Sequence, residues 1–428
     1  MGSVKDLIRD DSLAGKLYLP PSVTEFGRGA WRVSGRFSVA DLKHLIPPSE
    51  IPQKAEALTM MTAAFFEYLA ATNPDIPACY LGVMDADGKV TDVGSMVQKG
   101  DKTNIIVMKL AHTPDSYCGG DLETYRADLF SGKLQCGVAD IEAIFRAGLP
   151  LGSSTFKNIC KAAGFGKEYE NAATYGETAA LLDRVRERVS SEGLSNFPKL
   201  EAILAASGLG TTIPNPGFML DHPTYDYSTK FETAGDRVIT MDEARKLSGL
   251  SDEGYDLWVK QIFPKSTKAQ IEFSKQRGLV NIDGKEECVA YRRMPAITDF
   301  ANNVDENRVM IEYTGPKGVI WLIPSNKEIQ RAAFRQAGVY AAIDEAKETA
   351  QKAGKEEEWK NYVPAILQAR HIDIREVTKH SCDLMAYAVA EVANRILERN
   401  IFETAPMERW VPDFLPYASR MEQQQITR

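Results

Sequence analysis

The chain has 428 residues, 59 of them acidic against 51 basic, and a formal charge of -8. That acidic balance excludes broad binding to a nucleic-acid backbone, which needs clustered positive charge, and the length predicts two closely packed lobes rather than one small core. The cysteines at 79, 118, 136, 160, 288 and 382 show neither CxxC pairing nor zinc spacing, so they read as thiols of a reducing compartment. No run approaches the roughly 18 apolar residues of a membrane helix, and MGSVKDLIRDD lacks the apolar segment of a secretion signal. A cytoplasmic location is the expectation.

Over residues 16–37, Pro20-Pro21, Gly27, Gly29 and the run AWRVSGRFSV predict strands and tight turns. Neither GxxxxGK[ST] nor GxGxxG after a strand occurs anywhere, which excludes a Walker loop and a Rossmann crevice. Residues 55–69 (AEALTMMTAAFFEYL) predict an amphipathic helix, with Met60, Met61, Phe65 and Phe66 as packing residues. CYLGVMDADGKVTDV and NIIVMKLA then predict antiparallel strands, with Asp87-Gly88 as a hairpin turn. Residues 115–137 are polar and glycine-bearing and read as an excursion from that sheet. A strand ending at Arg146 follows, then a Gly152-Ser153-Ser154 turn whose amides and hydroxyls, beside an arginine, suit an anion, although such turns are also common without one.

Residues 171–209 predict an inserted helical pair with a solvated charged face. Lys230 and Glu232 lie on one face of an extended segment, and TMDEA predicts a helix start with Thr240 and Glu243 as a capping box. A helix over about 253–277 leads into DGKEECVAYRRMPAITDFANNVDENR at 283–308. There Glu287 and Asp299 stand at either end of a strand-like run, followed by Asp305 and Arg308. Carboxylates so spaced suit a hard divalent cation carrying polyphosphate, and an arginine beyond them suits a phosphate or carboxylate; a plain hairpin with charged faces fits the same letters. Beyond it come a strand, a turn and a helix with Lys327, Arg331 and Arg335 on one face, a solvated helix over 341–358, an amphipathic helix over 378–397, and a tail with apolar anchors and a polar end.

Taken in order, GSVKDL at 2–7, RFSVADLKHLIPPSEIPQKAEAL, EAIFRAGLPLGSS, DYSTKFE, DGKEE, TDFANNVDENR and IPSNKEIQRAAFR resemble the SAICAR synthetases, purine-pathway ligases, in the longer form of archaea and some bacteria. The resemblance implies a two-lobed α+β fold related to ATP-grasp and kinase-like nucleotide-binding architecture, with antiparallel sheets, helical insertions and the nucleotide between the lobes. It divides the chain into a β-rich nucleotide-binding lobe over 1–112, a central α+β lobe over 113–340 carrying the ATP, metal and ribotide sites, and a C-terminal helical segment over 341–428 packed on the core.

The implied reaction is ATP-driven amide formation between the carboxylate of CAIR, a carboxylated aminoimidazole ribotide, and the amine of L-aspartate. A carboxylate does not accept an amine without a leaving group, so an acyl phosphate is the natural use of ATP, with metal and lysine charge neutralising the phosphoryl group in flight. By resemblance, Lys5, Lys109, Lys285 and Glu287 contact the nucleotide, and Glu287 and Asp299 hold Mg2+. Arg146, Ser153 and Arg308 bind the ribotide, chiefly its phosphate, and Asp305 orients that end through the sugar. Ser38, Asp41 and Lys54 fall on motif positions of the substrate site, and Lys5, Lys285, Lys230 and Asp305 form the implied catalytic set.

The chain departs from the family pattern at Gly35-Arg36 (Asp-Arg), at Ala40 (phenylalanine), at Gln53-Lys54-Ala55 (Gly-Lys-Gly) and at Arg146-Ala147 (Arg-Asn). These departures fall near the ribotide and amino-acid sites. A paralogue joining another heterocyclic carboxylate or amine, as in nucleoside natural-product synthesis, is therefore the second reading, and a nucleotide-binding scaffold without turnover the third. Small-molecule substrates are the expected partners, with neither nucleic acid nor membrane; self-association and the roles of the helical insertions stay open.

Overall fold

The computed structural model describes residues 28–33, 51–172, 174–232, 237–299, 301–315, 318–325, 328–415 and 418–421. Lys5, Ser38, Asp41, Lys327 and the departures at Gly35 and Ala40 lie outside the described residues.

Strands β1 (Arg28–Arg32), β2 (Tyr80–Met84), β3 (Val90–Thr91) and β4 (Ile105–Lys109) pair antiparallel in the order β1-β4-β2-β3. The hairpin expected at Asp87-Gly88 joins β2 to β3, where Asp85 Oδ1 accepts from the N–H groups of Asp87 and Lys89 at 3.0 and 2.8 Å. The helix beside it differs from the expectation. It spans Lys54–Thr72 and is buried without a break from Ala57 to Ala63, so it has little solvent face. The reason is its place: β2 packs on one side, and the helices Ile374–Ile396 and Phe263–Lys275 on others, with the Phe65 ring 5.8 Å from that of Phe273. A helix enclosed in this way carries apolar residues around most of its circumference.

The second sheet is larger. β5 (Cys136–Leu149), β6 (Phe218–Ser228), β7 (Val238–Ile239), β8 (Leu279–Tyr291), β9 (Met294–Thr298), β10 (Asn307–Thr314), β11 (Ile320–Pro324) and β12 (Ser419–Arg420) form it in the order β12-β11-β10-β8-β5-β6-β7, with β9 folded back on β8. Strand β5 runs past Arg146 to Leu149, further than its sequence pattern suggests, because β6 pairs with it to the end. The polar excursion before it contains two helices, Pro114–Cys118 and Leu122–Ser131, the second capped by Asp121 accepting from Thr124 N–H at 3.2 Å. The fold is thus α+β with antiparallel sheets.

The two longest strands carry opposed faces. Register pairs Glu142 with Glu287, Ile144 with Lys285 and Arg146 with Asp283, and because strand side chains alternate, these share one face. The alternate residues Ala143, Phe145 and Cys288 join the main core, against which the Phe263–Lys275 helix packs on β8. A second core sits apart: Phe156, Leu182, Val185, Leu200 and Leu204 unite the helices Ser154–Ala162, Tyr175–Glu192 and Pro198–Ala206. Thr240 caps the Met241–Leu247 helix as expected, accepting from Glu243 N–H at 3.2 Å, but the Glu243 carboxylate pairs with Arg237 at 2.6 Å.

Candidate active site on the face of the large sheet

Two charge clusters adjoin on the polar face of β5 and β8. The first begins with Glu142 and Glu287, directly opposite one another and 6% and 4% exposed. Facing like charges destabilise a sheet, so each needs a cation. Lys285 Nζ lies 2.8 Å from Glu142 and 3.0 Å from Glu306. Lys230 Nζ bonds Glu287 and lies 3.9 Å from both Glu142 and Asp299.

Local structure explains how these side chains meet. The β8–β9 hairpin sets Thr298 opposite Glu287, and Asp299 follows in a left-handed conformation at φ 63 that swings its carboxylate against Glu287. Left-handed backbone is uncommon outside glycine and is sustained where surrounding contacts demand it. Lys230 follows β6. Its N–H and that of Phe231 donate to Asp140 Oδ1 at 3.0 and 2.8 Å. Asp140, wholly buried, belongs to a bulge of β5 where the register with β8 shifts, and Arg126 balances its charge at 2.6 Å.

The electrostatics follow. Burial, and then the Asp299 charge, push the Glu287 carboxyl upward against the opposing pull of Lys230, and the two carboxyls hydrogen-bond each other. Burial works against the Lys230 and Lys285 ammonium groups, but the carboxylates of Glu287 and Asp299 around the first, and of Glu306 and Glu142 around the second, outweigh it and hold both charged. Among the described residues no group of three or more ligating side chains gathers for a metal. Two oxygen-bearing carboxylates that repel one another nevertheless match the needs of Mg2+, which takes one or two carboxylates and completes its shell with water and phosphate.

The second cluster lines a cleft of about 490 Å³, within the usual range for small-molecule sites. It gathers Arg146, Lys157, Lys285, Arg308, Arg331 and Arg335 against Asp283, Asp305, Glu306 and Glu328, six cations to four carboxylates in a chain of negative net charge. Arg308 bonds Asp283 and lies 3.4 Å from Glu328, which also bonds Arg331 and lies 3.5 Å from Arg335. Burial raises the Glu328 carboxyl's pKa, but these three guanidinium groups overcome it and hold the group below its ordinary value. Ser153 caps the Ser154–Ala162 helix, its Oγ accepting from Thr155 N–H at 3.3 Å, so the positive end of that helix opens on the cleft.

The sequence-derived residues are therefore partly united. Lys230, Lys285, Glu287 and Asp299 form one cluster; Arg146, Ser153, Asp305 and Arg308 line the cleft beside it. Lys109 ends β4, where its charge reaches buried Cys79, whose thiol also bonds Thr298 just before Asp299. Lys54 is 1% exposed and is absent from the cleft lining; its ammonium lies 2.8 Å from Asp305. Ala147 is also buried off the cleft lining, so the missing amide at 147 changes no cleft wall. Glu142, Asp140, Glu306, Glu328 and Tyr169 escaped the sequence reading. The acidic positions flanking AIFR in DIEAIFR and the E of NKEIQR were the available signals, but their counter-ions come from distant strands.

No family model matches the chain. Among curated proteins, one of Archaeoglobus fulgidus, provisionally named phosphoribosylaminoimidazole-succinocarboxamide synthase, is 26% identical over 348 residues, 81% of this chain and 83% of that protein. The Thermoplasma acidophilum phosphoribosylaminoimidazole-succinocarboxamide synthase is 32% identical over 135 residues, 31% of this chain and 45% of its own length. Among solved structures, a Saccharomyces cerevisiae SAICAR synthase complexed with SAICAR gives a TM-score of 0.44 at 12% identity, covering 88% of this chain and 91% of that one. A type-2 SAICAR synthetase in complex with ADP gives 0.42 at 11% identity, covering 76% and 89%. Those scores are too low to assign roles to residues. The curated match runs through 81% of this chain and 83% of its relative, so the chain is similar to a SAICAR synthetase over most of its length.

Proposed function

We propose that this chain is an ATP-dependent ligase that joins the carboxylate of CAIR to the amine of L-aspartate, giving SAICAR, ADP and phosphate, in the cytoplasm. The observation that carries the reading is the adjacency of the two clusters. A lysine and carboxylate group suited to a metal-bound polyphosphate shares Lys285 with an arginine-rich cleft suited to a phosphorylated sugar.

Glu287 and Asp299 would hold Mg2+, which when bound supplies positive charge to the polyphosphate. Lys230 and Lys285, kept charged by their carboxylate neighbours, stand where a transferred phosphoryl group gathers negative charge, and Lys5 and Lys109 extend that field along the nucleotide. Arg146, Arg308 and Ser153, joined by Arg331 and Arg335, fix the ribotide phosphate, bidentate guanidinium contacts setting its direction. Asp305 takes a sugar hydroxyl, while Ser38, Asp41 and the departures at Gly35 and Gln53 bear on the imidazole and amino-acid ends. Held in this way, the ribotide carboxylate meets the γ-phosphoryl group; the acyl phosphate then yields to the aspartate amine, which loses a proton as phosphate leaves.

The test is ADP and succinocarboxamide formation by the purified protein with Mg2+, ATP, CAIR and L-aspartate. Equal amounts of both products, abolished by omission of either substrate, are expected. ADP without the amide, or no ADP at all, overturns the assignment and directs the search to other carboxylates and amines.

A further inference from the structure

We infer that Lys54 acts at the cleft without entering it, as the positioning residue that sets the Asp305 carboxylate for a phosphorylated sugar; this rests on the ribotide reading of the cleft. Lys54 opens the Lys54–Thr72 helix and is 1% exposed, so it is no surface lysine. A buried ammonium is costly unless paired and hydrogen-bonded, and its Nζ lies 2.8 Å from Asp305 Oδ2. Asp305 itself lines the cleft.

The same helix grips the turn a second time. Thr62 Oγ1 accepts from Asn303 Nδ2 at 2.9 Å, and Asn303 Oδ1 accepts from the N–H groups of Asp305 and Glu306 at 2.8 and 3.2 Å. Backbone and side chain of Asp305 are thus both fixed from the helix. The lysine engages one carboxylate oxygen, while Oδ1 is shielded from solvent and has no hydrogen-bond partner. An unsatisfied buried acceptor in a cleft wall calls for a donor, and a sugar hydroxyl supplies one. Lys54 holds the carboxylate by one oxygen and leaves the second turned to that donor.

The test uses ribose 5-phosphate as probe, with its affinity measured by calorimetry on the wild-type chain, Lys54→Met, Asp305→Asn and the double variant. Measurements are made at a temperature where circular dichroism shows all four folded; the double variant, which leaves no buried charge unpaired, covers the case in which a single one unfolds. Lys54→Met is expected to weaken binding roughly 10- to 100-fold, the range of a charge-assisted hydrogen bond, and the double variant to bind no more weakly than Asp305→Asn. Binding by Lys54→Met within about twofold of wild type, the usual error of additivity, overturns the inference. Multiplicative losses in the double variant also overturn it, since Lys54 would then act by its own route, as does failure of the wild-type chain to bind the probe. If the coupling holds but CAIR and aspartate give no product, the ligase assignment falls and the positioning role stands.

Discussion

Glu287 and Asp299 carry the sharpest chemistry at the scale of single residues, because two carboxyls in contact hold a proton only while nothing more positive takes its place. Asp299→Asn removes the neighbouring charge that helps to raise the Glu287 carboxyl. A carbon-13 titration of the Glu287 carboxyl should therefore move toward lower pH in that variant, and turnover should fall by about 100-fold or more as the proposed metal site is lost. Activity within about twofold of wild type would sink the metal assignment. Glu286, between Lys285 and Glu287 but pointing the other way, tells a different story. It is 1% exposed, bonded by Ser266 and, at 3.1 Å, by Gln270, and burial pushes its carboxyl up to about 8. A carboxyl raised above its unfolded value binds more protons in the native state, so its contribution is fully present below the unfolded value of 4.5 and is lost as pH rises toward 8. Urea melts should show stability falling through that window by on the order of 1 kcal/mol per pH unit from this group. Glu286→Gln should flatten the slope, and an unchanged slope would remove Glu286 as its source.

At the scale of elements, the helices Ser154–Ala162, Tyr175–Glu192 and Pro198–Ala206 have a core of their own. A separate core allows opening below the global unfolding energy. Leu182→Ala, at a wholly buried position, should cost about 2–5 kcal/mol locally. Hydrogen exchange should quicken over those three helices while β5 and β8 stay protected; uniform quickening would show a single cooperative unit. Because Ser153 heads the first of these helices, the same variant should weaken phosphate binding. The sequence periodicity revealed the second and third of these helices, within 171–209, but neither the first nor their shared core, since a pattern of apolar residues marks a buried face without naming what covers it.

At the scale of the whole molecule, the end of the described chain braces the turn at the edge of the cleft. Strand β12 pairs with β11, and Ser419 Oγ accepts from Leu151 N–H at 2.9 Å, next to the Gly152-Ser153 turn. Gly217, at φ 101, lies so close that an added Cβ would overlap the Arg420 carbonyl. Gly217→Ala should therefore displace β12, lower the melting temperature and weaken ribose 5-phosphate binding; an unchanged melting temperature with unchanged binding would show that β12 does not support the turn. The seven motifs, in order from GSVKDL to IPSNKEIQRAAFR, were enough by themselves to suggest the resemblance and the α+β class, and they named Arg146, Ser153, Lys285, Asp305 and Arg308 of the cleft. Glu287 and Asp299 were legible because one hairpin joins them, so their separation along the chain nearly determines their separation in space. Tertiary structure alone decided the rest. Glu142 and Lys285, 143 residues apart, meet through strand register, and Lys54 reaches Asp305 across two elements. Neither a register nor the burial of a lysine is written in local spacing, because both arise from packing between segments that are distant in the chain.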